Sequence, residues 1–208
     1  MVLALCVVLG VIPLPCPDTI GTMTVEQALH QRRSVRSYKN DSLSLEEVGQ
    51  LLWAAQGKTA SWGGRTAPSA GATYPMELYL IVGRVKGLGN GVYHYLVNGH
   101  ALELLKQKDV LHELSGAAWG QTVIESAPVS LVLVCDYGRT TGRYSERGRR
   151  YVHMEAGHIS ENVYLCCEDL GMGTVAIGAF SDRQVKLILG IRYNPLYIMP
   201  VGHKKERE

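Results

Sequence analysis

The run Arg32-Arg33-Ser34-Val35-Arg36 puts three guanidinium groups and a hydroxyl into five residues. An arginine fork matches phosphate oxygens two at a time, and in an extended segment residues 32, 34 and 36 project to one side, so three donors can track one anionic ligand. A solvated basic turn is the other reading of the same residues. Glu155-x-x-His158 is half of a di-iron carboxylate motif, but the sequence holds no second copy, which leaves a histidine hydrogen-bonded near the core. His153 and His158 are separated by about 500° of helical turn and cannot share a face as zinc-protease histidines do. Gly171-x-Gly173-x-x-Ala176 has the letters of a dinucleotide fingerprint, yet it leads from helix to strand instead of strand to helix, and Gly87-x-Gly89-x-Gly91 precedes a strand as well. No G-x-S-x-G elbow for a nucleophilic serine occurs.

Composition narrows the field further. Of 208 residues, 46% are hydrophobic and 19% charged, ordinary globular usage that excludes disorder, collagen and coiled coil. There are 23 glycines, where a background of ~7% gives about 15, so the backbone turns tightly or approaches something closely at several places. The net charge of +2 offers no whole-molecule field for nucleic acid or an acidic membrane. The 5 cysteines include no C-x-x-C pair and read as small core residues in a reducing, cytoplasmic setting. Val2 to Leu14 is almost entirely apolar but shorter than the roughly 20 residues a membrane span needs. It reads as an arm for a partner subunit, in preference to a leader before Met23 or a weak membrane anchor. The expected division is an arm over 1–22 and one domain over 23–208.

The elements that must position these residues are legible in outline. Thr24 with Gln27, Ser44 with Glu47 and Ser181 with Gln184 are helix-start signals, and Gly57, Gly171 and Gly190 are stops. Leu45, Val48, Leu51, Leu52 and Ala55 form one buried helical stripe; Val152, Ala156, Ile159, Val163 and Cys166 or Cys167 form another on a long helix over 150–170. Strands are expected over 76–82, over 91–96 and 101–105 as a hairpin through Asn98-Gly99, over 129–135 buried on both faces, and over 174–180 and 196–201. Asp109 caps a short helix. Residues 57–72 form a long loop of the kind that usually has a function. The interleaving predicts an α+β fold, a sheet with antiparallel pairing flanked by helices.

Six segments in this order carry a resemblance: Arg32 to Tyr38, Leu51 to Gly57, Arg65-Thr66-Ala67-Pro68-Ser69-Ala70-Gly71-Ala72-Thr73-Tyr74-Pro75, Arg143 to Gly148, Glu155-Ala156-Gly157-His158 with Asn162, and Ala176 to Phe180. From about residue 20 to 203 the chain resembles FMN-dependent nitroreductase-like flavoproteins, particularly the SagB-type subgroup related to thiazole/oxazole (azoline) dehydrogenases. The resemblance implies a three-layer fold with a mixed, mostly antiparallel sheet and an entwined homodimer with FMN at the interface. It implies Arg32, Arg33 and Ser34 at the phosphate and ribityl chain, and Arg36 near flavin N1 and O2, where a fixed cation stabilises the charge of the reduced ring. Pro68, Ser69, Ala70 and Gly71 would reach the flavin from the partner, their small side chains letting backbone lie against the ring. Ala176, Ile177 and Gly178 would pass the flavin edge, Ile177 and Gly178 offering N–H groups toward N5, and Lys204 and Lys205 would touch the phosphate.

The implied activity is electron transfer from NADH or NADPH through FMN to an electron-poor small molecule such as a nitroaromatic or quinone. One departure bears on the alternative, azoline dehydrogenation of peptides. The Lys-Tyr pair thought to remove the substrate proton is represented by Arg143 and Tyr144, and a guanidinium is no general base near neutrality. Tyr144 is left to exchange a proton and Arg143 to dock an anionic substrate or nicotinamide phosphates. A flavin-binding module without turnover is a further alternative. The basic cluster Arg139, Arg143, Arg147, Arg149 and Arg150 is interrupted by Glu146 and lacks a base-stacking module, so it reads as a solvated or interface surface and not a nucleic-acid site. No metal site is expected.

Overall fold

The computed structural model describes residues 10–205. Helices α1 (Val25–Gln31) and α2 (Leu45–Gln56) both open in capping boxes: Thr24 and Ser44 accept from the N–H groups of Gln27 and Glu47, whose side chains accept in return from the capping residues. Each cap contributes about 1 kcal/mol by satisfying donors that the helix leaves orphaned. Strands β1 (Val11–Pro13), β2 (Met76–Val82), β3 (Gly91–Leu96) and β4 (Ala101–Lys106) come before helices α3 (Leu111–Ala117) and α4 (Val123–Ser126). Strand β5 (Val129–Cys135), helices α5 (Tyr137–Tyr144) and α6 (Arg147–Asp169), strand β6 (Met172–Thr174), helix α7 (Asp182–Leu189) and strand β7 (Asn194–His203) complete the chain. Asp109 Oδ1 accepts from Leu111 N–H at the start of α3.

The strands form one sheet in the order β1-β4-β3-β2-β5-β7-β6, and neighbouring strands pair antiparallel. Among the described residues, parallel pairing is confined to the single bridges Ser34–Thr174 and Leu43–Val85. Alternation along β5 sorts the core into two halves. Leu131, Leu133 and Cys135 face a cluster with Leu51 and Leu52 of α2 and Val152, Ile159 and Val163 of α6. Val132 and Val134 face Leu114 of α3, Ile124 of α4 and Val185 of α7. The result is three layers, helices on both faces of the sheet, with each fully buried aliphatic side chain worth about 1.5–3 kcal/mol.

The segment expected as an arm packs in part on its own chain, and two elements differ from expectation. The sequence reads 1–22 as an arm for a partner. Residues 1–9 lie outside the described residues, while Val11–Pro13 pairs with Ala101–Glu103 of the same chain, and Asp169 Oδ1 accepts from the N–H groups of Thr22 and Met23 at 2.8 Å each. The strand expected over 174–180 ends at Thr174 and resumes only as the bridge between Ile177 and Ile198. The register of β6 on β7 sets Val175 opposite Pro200, which has no N–H to give, and the Pro200 carbonyl is taken instead by the Tyr38 hydroxyl at 3.0 Å. Finally, α5 was not anticipated, because the segment Tyr137–Tyr144 carries too little apolar pattern to announce a helix.

Candidate functional site

The arginine segment leaves α1 and lies against β6. Val35 N–H donates to the Thr174 carbonyl at 2.8 Å, and Gly173 is the residue that allows the approach, since a β-carbon there would lie 2.6 Å from Val35 Cβ. With Val35 turned inward, Ser34 turns the other way and its Oγ lies 3.2 Å from Tyr164 Oη on α6. Tyr164 Oη also accepts from Ala176 N–H at 2.9 Å. Arg32 Cζ stands 5.2 Å from the centroid of the same ring, and its Nε is 3.8 Å from Glu161 Oε1. Tyr164 thus gathers a guanidinium, a hydroxyl and the 176 backbone into one place, a residue that reading the sequence missed. The available signal was a tyrosine at a buried helical position, whose hydroxyl needs a partner.

The remaining expected cofactor residues divide. Arg33 folds back, Nη1 donating to the carbonyls of His30 and Arg32 at 3.0 and 2.7 Å, and so closes α1 instead of facing the Tyr164 cluster. Arg36 is exposed. Lys204 pairs with the buried carboxylate of Glu168, and Lys205 is exposed. Ile177 N–H donates to the Ile198 carbonyl at 2.9 Å, so it is not available in the role expected of it, and Gly178 is the amide that remains.

A second group assembles at the other end of α6. The turn Pro68–Gly71 carries positive φ at Gly71, and the positive φ continues at Ala72 and Tyr74. Arg143 Nη1 donates to the Gly71 carbonyl at 3.1 Å. A β-carbon on Gly71 would stand 2.6 Å from Tyr144 Oη and 2.9 Å from Arg143 Nη1. Tyr144 packs edge-on against Tyr151, ring centroids 5.2 Å apart, and the Thr73 and Thr140 hydroxyls are 2.8 Å apart. Arg143 and Tyr144 are therefore brought onto the turn that the sequence singled out. They are not brought onto the Arg32 cluster: Glu155, below the turn, and Tyr164 are separated by roughly 13 Å of helix rise.

Beneath the turn, Glu155 is 2% exposed. Burial pushes its carboxyl up to about 7, against the pull of hydrogen bonds from Ser69 and Gln56 and of the Arg65 charge. His158, expected near the core, is instead on the exposed face of α6; a spacing of three residues carried it past the buried stripe. Glu77 is also embedded; burial raises its pKa, but hydrogen bonds from His94 and Arg139 outweigh that and hold it below the usual range. No group of His, Cys, Asp and Glu among the described residues has the arrangement of a metal site. Among the described residues no helix is long and apolar enough to cross a membrane. The basic surface is internally engaged, with Arg139 on Glu77 and Arg149 on Glu146 and over Tyr137. A cavity of about 700 Å³ lies at the β1 edge, lined by Pro13, Arg65, Glu77, His94 and Asn98, away from the Tyr164 cluster.

The donor set at Tyr164 fits a phosphorylated ligand with a polyol arm: a cation one-third exposed and a neighbouring hydroxyl. Comparison with known proteins gives this arrangement a context. Residues 29–203 match the Nitroreductase family. The nitroreductase-family protein MJ1384 of Methanocaldococcus jannaschii is 47% identical over 190 residues, covering 91% of this chain and 96% of that protein. The trifolitoxin-processing protein TfxB of Rhizobium leguminosarum bv. trifolii is 31% identical over 139 residues, 64% of this chain but 34% of that protein. FMN reductase [NAD(P)H] of Bacillus subtilis is 24% identical over 202 residues, covering 88% of this chain and 67% of that protein. A crystal structure of a nitroreductase-family protein from Ralstonia eutropha superposes with a TM-score of 0.83 at 31% identity, covering 95% of this chain and 90% of that one.

Proposed function

The chain belongs to the nitroreductase family, and from that membership we propose that it is an FMN-dependent oxidoreductase, a homodimer that passes electrons from NADH or NADPH to an electron-poor small molecule such as a quinone or nitroaromatic. The observation that carries the reading is the convergence of Arg32, Ser34 and the Ala176 segment on Tyr164, a phosphate-ready donor set. The position of the Pro68–Gly71 turn, well along α6 from that set, suits a site completed by the turn of a second copy.

In this reading Arg32 and Ser34 would hold the FMN phosphate and ribityl arm, while Lys204 is kept on the Glu168 carboxylate. Arg36 would stand by the ring as a compensating cation, and Gly178 would offer its amide at the ring edge. When bound, FMN would supply the two-electron redox chemistry between the nicotinamide donor and the acceptor. The protein contributes by orientation and local electrostatics. Tyr144 presents a hydroxyl for proton exchange beside the turn, and Arg143 fixes the turn through the Gly71 carbonyl and docks anionic groups. Similarity to TfxB favours a second reading, dehydrogenation of azoline rings in peptides; an arginine at 143, where that chemistry needs a general base, weighs against it.

Anaerobic titration decides the matter. Protein loaded with FMN bleaches on addition of NADH or NADPH, recolours with a quinone or nitroaromatic, and runs as a dimer in light scattering. Protein that takes up no FMN, or is reduced once without turnover by any acceptor, refutes the oxidoreductase. Oxidation of an azoline peptide without nicotinamide turnover installs the second reading.

A further inference from the structure

We propose that Glu155 is a positioning residue that fixes the Pro68–Gly71 turn from beneath, in the shape in which the turn meets the flavin. The flavin half of this statement rests on the proposed function; the fixing of the turn rests on the contacts around the buried carboxyl.

Glu155 sits on α6 within a set of polar contacts. Tyr74 N–H donates to Ser69 Oγ at 2.9 Å, and the Ser69 hydroxyl acts on the Glu155 carboxyl, drawing its pKa down against the effect of burial. Gln56 of α2, fully buried, donates from Nε2 to Glu155 Oε1 at 3.3 Å. Arg65 Nη1 donates to Gln56 Oε1 at 2.9 Å, and the Arg65 guanidinium returns to the start, its Cζ 4.3 Å from the centroid of the Tyr74 ring. Both ends of the segment 65–74 are thereby tied to one buried carboxylate. Such an anchor is required because the chain just past Gly71 holds unfavourable backbone: φ is +51° at Ala72 and +43° at Tyr74. Left-handed conformations in residues other than glycine persist only where the surroundings over-determine them. The bonds from α5, Arg143 to Gly71 and Thr140 to Thr73, hold the turn from its exposed side. Glu155 is the charged group on its buried side, where losing a partner leaves the others desolvated and unpaired. The groups facing it are Ser69 from the turn, Gln56 from α2 and Arg65 from the loop.

The test compares the parent with Glu155→Ala, Glu155→Gln and Ser69→Ala by amide hydrogen exchange of the flavin-free full chain and by FMN titration across pH 6–8. In Glu155→Ala, amides of residues 66–74 exchange about tenfold faster or more, the loss of a hydrogen bond to a charged group. Amides of β5 stay protected, FMN affinity falls, and Glu155→Gln restores part of both. The parent binds FMN more tightly above pH 7 than below, a dependence that Glu155→Gln lacks. Ser69→Ala loosens the same amides and serves should Glu155→Ala not fold. Unchanged exchange of 66–74 in the Glu155 and Ser69 variants overturns the proposal. Faster exchange with unchanged FMN affinity upholds the anchor and removes the turn from the flavin site. Parent protein that binds no FMN refutes the proposed function, while the exchange comparison still decides the role of Glu155.

Discussion

Gly173 faces Val35 with no room for a side chain: a β-carbon would lie 2.6 Å from Val35 Cβ and 2.7 and 2.8 Å from its two methyl groups. This contact lays the arginine segment on β6 and, through the alternation of residues 34 and 35, turns Ser34 toward Tyr164. Gly173→Ala is expected to cost about 1–3 kcal/mol, the usual penalty for overpacking. Adding Val35→Gly should recover part of it, as contacting residues couple. Urea denaturation of the two single variants and the double variant measures the coupling; strictly additive losses remove the contact as the cause.

Tyr164→Phe deletes the hydroxyl that accepts from Ala176 N–H and meets Ser34 Oγ. A partly buried amide left without an acceptor costs up to about 1–3 kcal/mol, so thermal stability falls. FMN affinity falls with it, because Ser34 and the 176 segment lose their common partner. A variant that melts with the parent and binds FMN as tightly excludes Tyr164 as the hub.

Arg32 and Arg36 are assigned to opposite ends of the ligand, which gives them separable signatures. Arg32→Ala should weaken FMN by about tenfold or more while leaving riboflavin affinity unchanged, since a guanidinium–phosphate pair is absent from riboflavin. Arg36→Ala should affect both flavins alike or slow reduction by the nicotinamide donor. Stopped-flow reduction and fluorescence titration read the two effects; identical responses of the two variants cancel the assignment.

Stability should decline as pH rises through two adjoining windows. Burial raises the Glu155 carboxyl from the ordinary 4.5 to about 7 in the folded chain. Its contribution is complete below 4.5 and lost as pH climbs through about 7. His203 is desolvated, which lowers its pKa, but hydrogen bonds to Glu47 Oε1 at 2.7 Å and Asp41 Oδ2 at 3.0 Å prevail and raise it above 6.5. Its contribution is complete below 6.5 and lost as pH passes the raised value. Glu155→Gln should flatten the lower window and His203→Gln the upper one in a pH series of denaturation midpoints. The charged form of Glu155 therefore costs global stability, a trade common at functional sites.

What the sequence by itself determined lies within a few residues of each signal. The reciprocal caps Thr24–Gln27 and Ser44–Glu47, the stop at Gly190 and the strands over 76–82 and 129–135 follow from local hydrogen bonding and periodicity, so short-range physics suffices to read them. The run of motifs from Arg32 to Phe180 likewise announced a family. Pairings across long stretches of chain were decided only by the tertiary structure. Pro200 interrupts the strand after Thr174 because the register sets it against Val175. Glu155, and not His158, became the buried member of its motif because α6 is rotated against α2 to bury that stripe. Tyr164 became the meeting point of residues 34 and 176, more than a hundred positions apart in sequence, through the packing of the arginine segment on β6. A side chain's partner across that distance depends on how three layers dock, which no local pattern encodes.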